Sequence, residues 1–274
     1  MPKNILVVGQ TEEHAGKTSL AQALLSFFSD QNYKTCGFKP FSGYNYWYHF
    51  DMADQSLSQG KLYGKDITQL QKNSTVKIPI EIANPIHRLW NEPNHVNSLV
   101  NIPPFIMDRF SIFEQEKLQH HLLINKHLIQ KIPNHYQQNL KQNNHIFHYI
   151  DSVSQMNETI QTYYNRAIES CYEQIKKEVK IIIIESYADN ALFPWKNLTG
   201  FDLVLAIKPW EIQRFDPEKY VKAIQLAKPV SAWETSTKKL SNLLKPIQTF
   251  KQQPMRSTEI IPTLKEQIPK MLTD

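Results

Sequence analysis

Asn4-Ile5-Leu6-Val7-Val8-Gly9-Gln10-Thr11-Glu12-Glu13-His14-Ala15-Gly16-Lys17-Thr18-Ser19-Leu20 opens the chain, and its reading decides the fold. Ile5–Val8 is an unbroken apolar run rich in β-branched residues, the pattern of a strand buried on both faces. A polar loop follows, and Gly16-Lys17-Thr18-Ser19 opens a helix whose Leu20, Leu24, Phe27 and Phe28 recur at i, i+4, i+7 and i+8. A loop whose N–H groups turn inward at the positive end of a helix offers phosphate oxygens several donors and a favourable dipole. The stretch therefore predicts a phosphate-binding loop, with Gly9, Thr11, His14, Ala15, Gly16, Lys17, Thr18 and Ser19 as its nucleotide-holding residues. Lys17 is placed for the β- and γ-phosphates and the Thr18 hydroxyl for Mg²⁺. The strict spacing G-x-x-x-x-G-K-[ST] asks for glycine at position 11 and meets Thr11, so the loop is a variant.

The rest of the chain sets the frame for that loop. With 274 residues it is expected to form one α/β domain, residues 1–274, carrying an insertion or β-rich subdomain at about 86–150. A net charge of +5 with Lys and Arg scattered among Asp and Glu forms no basic stripe, and no nucleic-acid partner is expected. Cys36 and Cys171 belong to no C-x-x-C pair, which fits a reducing, cytoplasmic setting. No apolar run approaches the ~20 residues a membrane helix needs, and no membrane partner is expected. Four of the seven glycines, Gly9, Gly16, Gly37 and Gly43, fall where the phosphate site would lie.

Further along, Thr35–Phe38 reads as a second strand ending in Lys39-Pro40-Phe41-Ser42-Gly43. The aromatic-rich stretch from Gly43 to Lys65 is a candidate pocket wall or a surface packed on a sheet edge or a subunit partner. Within 86–150, Phe105–Phe113 and Leu122–Ile129 have strand character, and the histidines there lack H-x-x-x-H or H-E-x-x-H spacing. Met156, Ile160, Tyr164, Ala167, Ile168, Cys171, Ile175 and Val179 trace one face of a long helix. Val179–Ile184 reads as a buried parallel strand that ends at Glu185. An acid at the carboxyl end of a buried strand, beside a phosphate loop, binds Mg²⁺ directly or through water and orients the attacking group. Asp189 is a second candidate for that role. Phe201–Ile207 predicts another strand, Pro217–Ala227 a helix, Pro229–Trp233 a last strand and Thr263–Met271 a short helix in a proline-punctuated tail.

Lys39-Pro40 with Ser42-Gly43, the run Asp66-Ile67-Thr68-Gln69-Leu70-Gln71-Lys72-Asn73-Ser74, and Asn84-Pro85 with Glu92-Pro93 carry a family resemblance. Together with the variant loop ending in Gly-Lys-Thr they resemble dethiobiotin synthetases, and the chain looks similar to uncharacterised archaeal proteins described as P-loop ATPases or GTPases. The resemblance covers roughly residues 4–95 and 179–225. It implies that Asp66 joins Thr18 and Glu185 at the metal, and that Lys39 stabilises charge on the γ-phosphate or on an acceptor carboxylate. The synthetases end the matching strand in Val-Glu-Gly-Ala-Gly-Gly. Here the run is Ile184-Glu185-Ser186-Tyr187-Ala188-Asp189, which keeps the acid and loses the glycines.

Loop, strands and resemblance together imply a three-layer P-loop NTPase fold with a mainly parallel sheet. The expected function is that of an Mg²⁺-dependent NTPase, using ATP in first place with GTP not excluded. Lys17, Lys39 and Glu185 are its catalytic candidates. The resemblance further implies ligase-type chemistry on a small carboxylic acid. A regulatory or assembly switch, or a nucleotide-binding interaction protein with little turnover, is the alternative reading, and a homodimer is compatible with all of these.

Overall fold

A computed structural model describes residues 3–12, 14–91, 102–192, 200–227 and 236–273. In chain order the elements are β1 (Lys3–Gly9), α1 (Lys17–Asp30), β2 (Thr35–Phe38), β3 (Phe41–Asn45), α2 (Phe50–Ser58), α3 (Lys65–Asn73), α4 (Ile80–Ala83) and β4 (Ile86–Trp90). Next come β5 (Phe105–Glu114), β6 (Lys117–Asn125), a 3₁₀ turn at Ile129–Lys131, α5 (Asn134–Gln142), β7 (Ile146–Ile150) and α6 (Val153–Glu178). The chain ends with β8 (Ile181–Glu185), β9 (Leu203–Lys208), β10 (Glu211–Phe215), α7 (Pro217–Leu226), α8 (Thr237–Ser241), β11 (Gln248–Lys251) and α9 (Ser257–Leu272). They form an α/β structure with two mixed sheets, divided into two compact units. The strand expected at Pro229–Trp233 and the Glu92-Pro93 pair lie outside the described residues.

The first unit comprises Met1–Pro40, Thr68–Ile78 and Ile175–Asp274. Its six strands run in the order β11-β10-β9-β1-β8-β2. β9, β1, β8 and β2 are mutually parallel, while β10 and β11 add on antiparallel beyond β9. The parallel strands are those the apolar runs predict, because a parallel strand is covered on both faces and shows no polar alternation. β1 sits centrally and, after its first residue, is buried throughout. The outer margin of β2 is closed by the segment after α3: Thr35 N–H donates to Thr75 Oγ1 at 2.7 Å, Gly37 N–H to Ser74 Oγ at 2.9 Å, and Val76 N–H to Thr35 O at 3.2 Å.

α1 packs on β1, β2 and β8 through Leu20, Leu24, Leu25 and Phe28, and α9 packs on α1. α9 is longer than the expected Thr263–Met271, starting at Ser257 and holding Pro262 and Pro269 inside it. Each proline removes one backbone donor. Burial of Leu264, Ile268 and Met271 and a hydrogen bond from Lys265 Nζ to Ser26 Oγ hold the helix nonetheless.

The second unit comprises Phe41–Ile67 and Pro79–Gln174, so residues 86–150, expected as an insertion, lie within it. Its five strands run β3-β4-β5-β6-β7, with β3/β4 and β6/β7 parallel and the two central pairings antiparallel. Tyr44, Leu57, Leu89, Met107, Leu122, Tyr136 and Leu140 belong to its core. The aromatic stretch splits: Tyr44 and Tyr63 are buried, whereas Trp47, Tyr48 and Phe50 are exposed. A buried ion pair joins β4 to β5, with Arg88 donating to both oxygens of Asp108 at 2.7 and 2.6 Å and Tyr164 of α6 donating to the same carboxylate. Cys36 and Cys171 are buried free thiols, and burial pushes both up to about 12.

Among the described residues no helix is long and apolar enough to cross a membrane.

Candidate phosphate and metal site

The registers of the first sheet decide what meets at its carboxyl edge. Val7 of β1 lies opposite Glu185 of β8, and Phe38 of β2 lies opposite Ile184. The loop after β1, Lys39 after β2 and the acid closing β8 are thereby brought side by side, at the edge where open α/β sheets bind ligands.

The loop delivers Gly16 as the N-cap of α1, in a left-handed conformation with φ 94°. Glycine adopts that conformation without the steric cost a Cβ would bring. No side chain caps this helix start and no acid stands in its first turn, so its positive end is left uncompensated within the helix. Lys17, the next residue, is buried, and its Nζ donates to the Ala188 carbonyl at 2.5 Å. The ammonium lies over Gly9, where a Cβ would come within 2.8 Å of Nζ; glycine at position 9 is what lets this side chain fold across the loop.

Thr18 Oγ1 donates to Glu185 Oε1 at 3.0 Å, and Lys39 Nζ meets the same oxygen at 2.5 Å. Glu185 is wholly buried and Lys39 nearly so. A buried acid of this kind is costly to the fold unless it is met by partners, and here an ammonium and a hydroxyl meet it. Lys17, Thr18, Lys39 and Glu185, four of the sequence candidates, thus form one cluster with the start of α1.

Of the other candidates, Ala15 is buried, Thr11, Gly16 and Ser19 are half-buried, and His14 is exposed with φ 54°. Asp66 stands in the first turn of α3 and belongs to the second unit. Asp189 lies in the turn after β8, where its carbonyl accepts from Thr237 N–H at 2.6 Å.

Two features of the site carry no mark in the sequence. One is the Ala188 carbonyl, a backbone atom that anchors Lys17. Ala188 has φ 47°, a left-handed conformation that glycine adopts more readily. The other is Ser186, whose N–H donates to Val7 O at 3.0 Å while its buried Oγ has no hydrogen-bond partner among the described residues.

Neither a protein-family model nor a curated protein matches this chain. Among the described residues no three His, Cys, Asp or Glu side chains come together as a metal cage. Mg²⁺ at a nucleotide does not ask for one, because it takes one or two protein oxygens and completes its octahedron with phosphate oxygens and water. A hydroxyl and a carboxylate 3.0 Å apart beside a cationic helix start fit that demand, and the orphaned Ser186 Oγ fits a ligand oxygen or water.

Proposed function

We propose that this chain is an Mg²⁺-dependent P-loop NTPase that binds ATP in first place. The observation that carries the reading is the convergence of Thr18 Oγ1 and Lys39 Nζ on the Glu185 carboxylate, at the carboxyl ends of three adjacent parallel strands and beside the Gly16-Lys17 helix start.

In this reading the backbone amides of Gly16–Ser19 and the Lys17 ammonium hold the β- and γ-phosphates, Lys17 exchanging the Ala188 carbonyl for phosphate oxygens. Thr18 and Glu185 would hold Mg²⁺, which when bound neutralises charge on the phosphate oxygens. Lys39, kept in place by Glu185, supplies positive charge to the transferred phosphoryl group or to an acceptor carboxylate. Such a site works by positioning and electrostatic stabilisation and needs no covalent nucleophile. The resemblance to dethiobiotin synthetases supports a small carboxylic acid as acceptor; the loss of their glycines after Glu185 argues that the acid is a different one.

Calorimetric titration with non-hydrolysable ATP and GTP analogues, with and without Mg²⁺, tests the proposal. Metal-dependent binding of one analogue, abolished in Lys17→Ala, is the expected result. Binding of neither would overturn it and bring the interaction-protein reading forward.

A further inference from the structure

The second unit holds a polar pocket of about 130 Å³ that the nucleotide reading leaves unused. Lys61, Glu81, Arg109, His120, Asn143 and His145 line it. Its size is well below the ~300 Å³ at which pockets for drug-sized ligands begin, so it suits a small ion.

Its charge selects the sign of that ion. Lys61 and Arg109 bring two cations against the single carboxylate of Glu81, which Lys61 Nζ meets at 3.2 Å. Arg109 is fully buried, and all its N–H groups are committed: Nε to Leu62 O, Nη1 to Ser111 Oγ and Pro85 O, Nη2 to Asn84 O and Oδ1. It acts on the pocket through its field. Lys61 is half-exposed and can turn to a ligand.

The two histidines supply the recognition. His145 Nδ1 lies 2.8 Å from the Leu140 carbonyl, and a carbonyl can only accept, so this nitrogen carries the proton. The neutral ring then offers Nε2 as a lone pair. His120 Nδ1 lies 2.9 Å from Ser111 Oγ, which leaves its Nε2 also uncommitted among the described residues. A lone pair at His145 Nε2 and an uncommitted His120 Nε2, beside an excess of positive charge, suit a ligand that is an anion and can also carry a proton.

A carboxylate has the charge without the proton. A divalent metal has neither, and Glu81, His120 and His145, though all three line the pocket, do not come together as a metal-holding group. Phosphate has both: oxygens to accept from Lys61, and an acidic proton to share with Nε2; the Asn143 amide is already given to the Gln59 and Asn139 carbonyls. We propose that this pocket is a binding site for a phosphate-type oxyanion, free phosphate or a phosphate monoester, seated between Lys61 and the Nε2 atoms of His120 and His145.

Burial with Arg109 close by holds His120 down at about 4, and burial holds His145 below its ordinary value, with Arg109 adding to it. Both rings are therefore neutral near pH 7, and a seated anion would draw protons onto them. A monoester dianion, lacking a hydroxyl, must bring in a proton that hydrogen phosphate already carries.

The experiment follows the full chain, with ¹⁵N-labelled histidine, through long-range ¹H–¹⁵N spectra during titration with inorganic phosphate and with glycerol phosphate. The expected result is a saturable shift of the His120 and His145 Nε2 signals, with exposed His127 and His135 unmoved. The same response in Lys17→Ala would separate this pocket from the loop after β1, and Lys61→Ala should weaken it about ten-fold. Proton uptake larger for glycerol phosphate than for phosphate in calorimetry would identify which source the pocket accommodates and agree with the proposal. No shift at roughly tens of millimolar phosphate, far above the range of useful affinity, would overturn it. So would a Lys61→Ala response equal to the parent's, or shifts produced by Zn²⁺ and not by phosphate.

Discussion

Lys39 Nζ lies 2.5 Å from Glu185 Oε1, and both side chains are shut away from solvent. The residues are 146 positions apart, so folding of the first unit must bring them together before either can be desolvated. Removing one partner of such a pair leaves a buried uncompensated charge, at a cost of about 3–5 kcal/mol. Lys39→Met should lose stability on that scale in urea unfolding, and Lys39→Met with Glu185→Gln should recover most of it. A double variant as weak as the single one would show that the charge pairing is not what matters.

Glu185→Gln alone keeps the shape of the side chain and one acceptor oxygen, and removes its charge. Nucleotide binding with Mg²⁺ should weaken far more than binding without it, as read by calorimetry. Equal losses in the two conditions would take Glu185 out of the metal site.

Arg109 is a fully buried cation of the second unit, joining the Leu62, Asn84 and Pro85 carbonyls. Lysine has the charge but not the planar fork, and reaches fewer of these acceptors. Each buried carbonyl left unmatched costs about 1–3 kcal/mol. Arg109→Lys should therefore lower stability by about 3 kcal/mol or more, measured by thermal unfolding.

Acid should weaken the second unit. Burial, aided by Arg109 for His120 and by His148 for His121, holds both imidazoles down at about 4 in the folded chain, below their ordinary 6.5. Between those values the unfolded chain binds more protons, so this part of the stability is complete above pH 6.5 and drains away as pH falls toward 4. The urea midpoint followed across that window should fall. It should fall less in His120→Gln with His121→Gln, and an unchanged slope there would clear these two histidines of the effect.

Ala188 holds a left-handed backbone at φ 47°, which costs an L-residue about 1–2 kcal/mol. Glycine relieves that strain while adding chain entropy worth about 0.5–1 kcal/mol to the unfolded state. Ala188→Gly should thus stabilise by about 0.5–1 kcal/mol in denaturant titration and leave the Lys17 anchor in place.

Elements with strong local periodicity were legible before any coordinates. β1, β8 and β9 declare themselves by unbroken aliphatic runs, and α6 by apolar residues at spacings of three and four. β7 did not, because its Ile146-Phe147-His148-Tyr149-Ile150 carries ambivalent aromatics and a histidine in place of a clean alternation. β3 follows Lys39-Pro40 so closely that it reads as the tail of β2, yet it opens a different sheet. β10 hangs on a turn at Trp210, whose φ of 74° is a conformation no bulky residue advertises. The site divides the same way. Lys17, Thr18 and Glu185 stand in recognisable local contexts, whereas the Ala188 carbonyl and the arrangement of His120, His145 and Lys61 arise from contacts distant in sequence. Such contacts leave no periodic trace.

The hydrogen bonds from Thr35 and Gly37 to Ser74, Thr75 and Val76 have a consequence for the company this protein can keep. A margin strand with unspent donors and acceptors is a template on which foreign β-segments grow. At β2 that template is already consumed by the chain itself, so neither a sister molecule nor a misfolded fragment can lengthen the first sheet from that side. Among the described residues the opposite margin is β11, four residues long and bearing Lys251, a poor seed for a fibril.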